Sequence, residues 1–158
     1  MANNLNPTTF LSPKQDRKCE TYWTLPQYSY SPTIRIGDNV YIGSYVNIGA
    51  IDCVKIEDGC VLSEYIYITD NLHGMHPDRG PIMEQPLESK GPVHIRCNCF
   101  LGFRVSVMPR VTLGEHCIVG ANSVVTHSFP AYSMIVGSPA KLIKRSDLET
   151  RQWVSARE

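Results

Sequence analysis

Within 158 residues, the side chains best suited to proton transfer gather in one stretch, Ile68 to Gly80, which reads ITDNLHGMHPDRG. His73 and His76 stand three apart there, with Asp70 and Asn71 just before them and Glu88 further along in DNLHGMHPDRGPIMEQPLESKGP. A hydroxyl is a poor nucleophile near neutral pH, so a base whose pKa lies near the working pH must take its proton as the new bond forms. Histidine meets that condition without special tuning. In acyl transfer from a thioester to a hydroxyl, either histidine could be that base. Asp70, Asn71 or Glu88 could then hold the second ring nitrogen or the acceptor. The Pro and Gly of the stretch predict a shaped loop rather than a loose linker.

The remaining reactive residue types point elsewhere. Six cysteines, at 19, 53, 60, 97, 99 and 117, include only a CxC pair without a second pair at zinc-finger spacing, so no structural metal site is expected. His94 and His116 read as surface residues. Fifteen basic residues balance fifteen acidic ones with no long run of either sign, which argues against a nucleic-acid partner. No apolar window approaches the length of a membrane span, and MANNLNPTTFLSPKQDRK carries no basic-then-apolar leader. A cytoplasmic soluble chain with reduced thiols is the expectation.

What must position the histidine loop is a repeat. An aliphatic residue recurs every six positions at Ile36, Ile42 and Ile48, at Ile56, Leu62 and Ile68, and from Ile95 through Leu101, Val107, Leu113 and Val119 to Val125. Two residues before each stands a small or β-branched residue, with Cys60, Cys99, Cys117 and Ser123 among them. A strict period of six walks around a helix of 3.6 residues per turn, whereas it is a whole number of strand alternations. Each hexad therefore reads as one short strand and a turn, with GDN at 37–39, EDG at 57–59 and GEH at 114–116 as turns that tolerate positive φ. Three hexads close one coil, and stacked coils make an all-β parallel solenoid in which cysteine at inward positions acts as a small apolar side chain.

The clock is broken twice. Between Ile48 and Ile56 the step is eight, and between Ile68 and Ile95 it is 27, which expels a loop over about 70–92. One domain, 1–158, is expected: a cap over 1–33, a β-helix over 34–127, and a closing segment over 128–158. Ser146 with Glu149 three residues on predicts a short helix in SDLETRQWVSARE.

The repeat [LIV]-[GAED]-x-x-[STAV]-x over 34 to about 127, with PAYSMIVGSPAKLIKR after it, resembles the hexapeptide-repeat acyltransferases. That resemblance implies a left-handed parallel β-helix, although crossover rules taken alone favour the right hand. It also implies a homotrimer with active sites between subunits and acetyl-CoA as co-substrate. Asp70-Asn71-Leu72-His73-Gly74 is similar to the D-x-N-H-G motif of polysaccharide O-acetyltransferases, which makes His73 the implied general base. Relatives carry Asn directly before the histidine, where this chain has Leu72. Phe100 stands where relatives place Trp near the acceptor. Gly102, Gly120, Ala121 and Thr126 match positions along the CoA groove, with Lys141 and Lys144 placed for the CoA phosphates. A sugar hydroxyl in surface polysaccharide biosynthesis is the implied acceptor. Two other classes compete: a zinc lyase of the γ-carbonic-anhydrase type, whose GHxxxxHG spacing is missing here, and a non-catalytic solenoid scaffold.

Overall fold

Two or three extended residues followed by a corner are all that a hexad provides, and residues 30–156, those described by the computed structural model, are built from such pieces. The first coil comprises β1 (Thr33–Ile36), β2 (Tyr41–Ile42) and β3 (Asn47–Gly49), and the second β4 (Cys53–Ile56), β5 (Val61–Leu62) and β6 (Tyr67–Thr69). The expelled loop holds β7 (Asn71–His73) and β8 (Leu87–Ser89). The third coil has β9 (Val93–Ile95), β10 (Phe100–Leu101) and β11 (Ser106–Val107), and the fourth β12 (Thr112–Leu113), β13 (Ile118–Val119) and β14 (Val124–Val125). Strands of successive coils pair in parallel, giving three faces: β1-β4-β9-β12, β2-β5-β10-β13 continued by later strands, and β3-β6-β11-β14. A fifth coil begins where Phe129 bridges Leu113 and β15 (Ser133–Gly137) pairs with β13.

The register explains the core. Ile36, Ile56, Ile95 and Leu113 align across the first face, and Ile42, Leu62, Leu101 and Val119 across the second. From Ile56 onward every rung of this ladder is buried. Each such burial is worth roughly 1.5–3 kcal/mol before entropy is subtracted. The expected inward cysteines are there too: Cys60, Cys99 and Cys117 are buried free thiols, and their Sγ atoms lie 3.1–3.2 Å from backbone carbonyls. Contact with Cys117 and Cys60, together with burial, pushes the Cys99 thiol up and away from thiolate chemistry.

The corners use positive φ where the turn triplets predict it, at Asn39, Gly59 and His116. The next corner column is less orthodox: Tyr45, Tyr65 and Arg104 take φ of 57–60°. Such a conformation costs an L-residue about 1–2 kcal/mol. Side-chain stacking offsets it, with Tyr45 and Tyr65 rings 4.8 Å apart, Phe103 edge-on to Tyr65, and the Arg104 guanidinium over both Tyr65 and Phe103.

One expectation is overturned at the carboxy-terminal end. Instead of a helix, the chain forms an antiparallel meander in which β15 pairs with β16 (Ala140–Asp147), and β16 with β17 (Gln152–Ser155). Ser146 lies inside β16 opposite Trp153, so it cannot cap a helix. Asp147 takes the turn instead, its Oδ1 accepting from the backbone N–H groups of Glu149 and Thr150. An isolated helix of this length is marginal, whereas the open edge of β16 supplies a row of unpaired backbone groups. Of the expected cap over 1–33, residues 1–29 lie outside the described residues, and Thr33 already belongs to β1.

Candidate active site

Leaving β6, the chain runs through Asp70, whose carboxylate is completely buried. It accepts hydrogen bonds from the backbone N–H of Ile51 and of Asp52, both at 2.9 Å, and from the Asn71 side-chain amide at 3.0 Å. These bonds tie the loop's root to the enlarged turn between Ile48 and Ile56, so the two breaks in the six-residue clock are one feature. Asp70 thus sits beneath the site and offers no face to a substrate.

Beyond Asp70 the loop is a two-stranded antiparallel ribbon, with Asn71 opposite Ser89, Leu72 opposite Glu88 and His73 opposite Leu87. Cross-strand partners share a face and neighbours along a strand alternate. Asn71 and His73 therefore share one face, while Leu72 and Glu88 occupy the other. His73 is exposed at the end of β7, and its ring has no hydrogen-bond partner among the described residues. Asn71 donates its side-chain NH2 to Asp70, and its Oδ1 has no hydrogen-bond partner among the described residues.

On the opposite face Glu88 reaches His76 Nε2 at 3.0 Å and Lys90 Nζ at 2.6 Å. Lys90 first, and His76 second, hold the Glu88 carboxyl below the usual range. Glu88 is thus the partner of His76 and not of His73. The loop rejoins the solenoid at Gly91 (φ 118°), over which the Arg110 side chain packs while the Arg110 backbone N–H donates to the Gly91 carbonyl at 3.0 Å. This gives the unusual MPRV its structural role.

The residues expected along the cofactor groove fall on other parts of the prism. Leu101, Val119 and Ile135 align, so Gly102, Gly120 and Val136 follow in one row, which ends on Lys141 opposite Val136. Phe100, Ile118 and Met134 form the adjacent row, which ends on Lys144. Two small or apolar tracks thus each run to an exposed lysine. The glycines have a packing reason of their own: a Cβ at Gly102 would lie 2.9 Å from the Ala121 backbone nitrogen, and one at Gly120 2.5 Å from Val136 Cγ1. Ala121 is exposed beside this row. Thr126 is on a different edge, following Val125 as Thr69 follows Ile68, and therefore on the edge from which the His73 loop springs.

His94 is more than a surface residue. Its Nε2 lies 2.8 Å from Glu57 Oε1, which Lys55 also reaches at 2.9 Å. Lys55 first, then His94, hold the Glu57 carboxyl down at about 2. Repeat phase places all three side chains on the first face but says nothing of their pairing. His116 stacks on Tyr132 at its corner. Among the described residues no three His, Cys, Asp or Glu side chains gather as metal ligands, and no helix is long and apolar enough to cross a membrane.

Two segments of this chain match repeat families: residues 92–127 the bacterial transferase hexapeptide (six repeats), and residues 33–70 the hexapeptide repeat of succinyl-transferase. They bracket the expelled loop. WbbJ of Escherichia coli (strain K12), provisionally described as a lipopolysaccharide biosynthesis O-acetyl transferase, is 36% identical over 130 residues, covering 78% of this chain and 66% of the relative. A Mycobacterium tuberculosis protein provisionally described as an acetyltransferase, Rv3034c, is 33% identical, covering 76% of this chain and 40% of its own length. The chain thus spans less than two thirds of these curated relatives. The hexapeptide-repeat acetyltransferase VCA0836 of Vibrio cholerae O1 biovar eltor, solved with acetyl-CoA, superposes with a TM-score of 0.64 at 26% identity, over 71% of this chain and 60% of that one. With the coils falling within those matched segments and the loop expelled between them, the chain belongs to the hexapeptide-repeat transferase family.

Proposed function

We propose that this protein is an acetyl-CoA-dependent O-acetyltransferase that acetylates a hydroxyl of a sugar in surface polysaccharide biosynthesis, with His73 as general base. The observation that carries this reading is the placement of His73: an exposed imidazole with both nitrogens open to an acceptor, at the end of a ribbon rooted in the solenoid by a buried carboxylate. His73 takes the proton of the acceptor hydroxyl as its oxygen attacks the acetyl carbon. The C–S bond breaks, the CoA sulfur leaves with the electron pair, and the imidazolium returns the proton to that sulfur. Asn71, on the same face, is placed to bind the acceptor. The rows ending on Lys141 and Lys144 suit an extended apolar arm that terminates in phosphates.

In one chain the His73 edge and the row of Gly102 and Gly120 are separated by the β3-β6-β11-β14 face. A groove between neighbouring copies brings two different edges together, which supports a homotrimer with its sites between subunits. The description of WbbJ supports a saccharide acceptor, and acetyl-CoA as co-substrate goes with a cytoplasmic location. One observation favours a second reading of the base: His76, with Glu88 on its ring nitrogen, has the carboxylate partner that His73 lacks.

The test is purified protein with acetyl-CoA and a panel of nucleotide sugars and oligosaccharides, followed by release of free thiol. Acceptor-dependent release that His73→Ala abolishes supports the reading. Stoichiometric zinc in the purified protein, or calorimetry showing no acetyl-CoA binding, overturns it.

A further inference from the structure

Beyond Asp70 at its root, the loop buries one further polar side chain among the described residues, Gln85, at 4% exposure. Its Oε1 accepts from the His76 backbone N–H at 2.9 Å, and its Nε2 donates to the carbonyls of His76 and Gly80, each at 2.9 Å. The primary amide thus uses both of its donor hydrogens and accepts once, gripping the chain on both sides of His76 and five residues before itself. The grip extends to His73 through Gly74. A Cβ at Gly74 would stand 2.9 Å from Gln85 Cβ and 3.0 Å from the Pro86 carbonyl oxygen, and the Gly74 N–H donates to that carbonyl at 2.9 Å. The glycine after His73 is thus the seat on which Gln85 rests. Because its polar atoms are buried, no water replaces them cheaply when the side chain is lost.

We infer that Gln85 is a positioning residue: its amide clamps the turn between His73 and His76 and fixes the imidazoles relative to the solenoid. This deepens the acetyl-transfer reading and rests on it for the catalytic consequence, though the clamp itself is testable without any reaction. A base displaced by about 1 Å costs up to roughly a hundredfold in rate, so the grip matters even though Gln85 touches no substrate.

The full chain is compared with Gln85→Ala, with Gln85→Met, which keeps the seat filled but cannot hydrogen-bond, and with Gln85→Glu. The last keeps the acceptor but loses both donors and sets a negative charge beside His76. Expected are a fall in kcat of about 10–100-fold in Gln85→Ala and Gln85→Met with KM for acetyl-CoA within about twofold, and a basic shift of the histidine limb of the pH profile in Gln85→Glu. Independently of activity, trypsin cleavage after Arg79 should accelerate about tenfold in Gln85→Met while the thermal midpoint of the solenoid holds. Unchanged cleavage at Arg79 in Gln85→Met overturns the clamp. Faster cleavage with unchanged kcat overturns its catalytic role, and faster cleavage in a protein that transfers no acetyl group keeps the clamp and sinks the enzymatic reading alone.

Discussion

Glu88 and His76, twelve residues apart, meet carboxylate to imidazole at 3.0 Å, and Glu88 stands on the ribbon face opposite to the one that carries His73. The two histidines of the loop are thereby different groups, one partnered and one open. If His73 is the base, His73→Ala lowers kcat by about 100- to 10,000-fold while Glu88→Gln stays within about threefold of wild type. If His76 and Glu88 act together, His76→Ala and Glu88→Gln fall by similar factors and their double variant falls no further. Steady-state thiol release from the four variants separates the two.

The buried carboxylate of Asp70 joins the two irregular turns, so its loss is a matter of stability before it is one of catalysis. In Asp70→Asn the side chain can accept from only one of the N–H groups of Ile51 and Asp52 without turning its own NH2 toward the other. A loss of about 2–3 kcal/mol is expected from replacing these charge-assisted bonds. Urea unfolding checks it, as a lower midpoint with an unchanged slope.

Glu57, depressed from its ordinary value near 4.5 to about 2, makes stability depend on pH in one direction. A carboxylate whose folded pKa lies below its unfolded value contributes stability above the unfolded pKa and loses it as pH falls toward the folded one. The window is therefore about pH 4.5 down to 2. Because Lys55 is 44% exposed, solvent screens the pair and the contribution is on the order of 1 kcal/mol. The thermal midpoint of wild type should exceed that of Glu57→Gln above pH 5, and the gap should close as the pH approaches 2.

Lys141 and Lys144 end two rows of the second face. Replacing either with Ala should raise KM for acetyl-CoA about 3- to 10-fold with kcat nearly constant, since phosphates distant from the thioester contribute binding common to ground and transition states. Each variant should lose part of the salt dependence of that KM, and the double variant most of it. Initial rates at two ionic strengths measure both.

Much of the solenoid was legible from residue spacing because each coil repeats the same contacts with its neighbour: a six-residue period states which side chain faces inward, and Ile56, Leu62 and Cys60 face inward as that period requires. The same logic marked the loop, since anything out of period must leave the stack. It failed at the carboxy-terminal end, where a capping pattern around Ser146 competed with the open edge of β16 and tertiary pairing prevailed. Within the loop no period exists, and which residues share a face depends on the register of β7 against β8, fixed by contacts across the loop. Residue types alone put His73, Asp70, Asn71 and Glu88 on one short list. Only the folded chain buried Asp70, turned Glu88 toward His76, left His73 open beside Asn71 and gave Gln85 its grip, because each of these outcomes rests on bonds between residues 5 to 19 positions apart or on a ribbon register that no local pattern encodes.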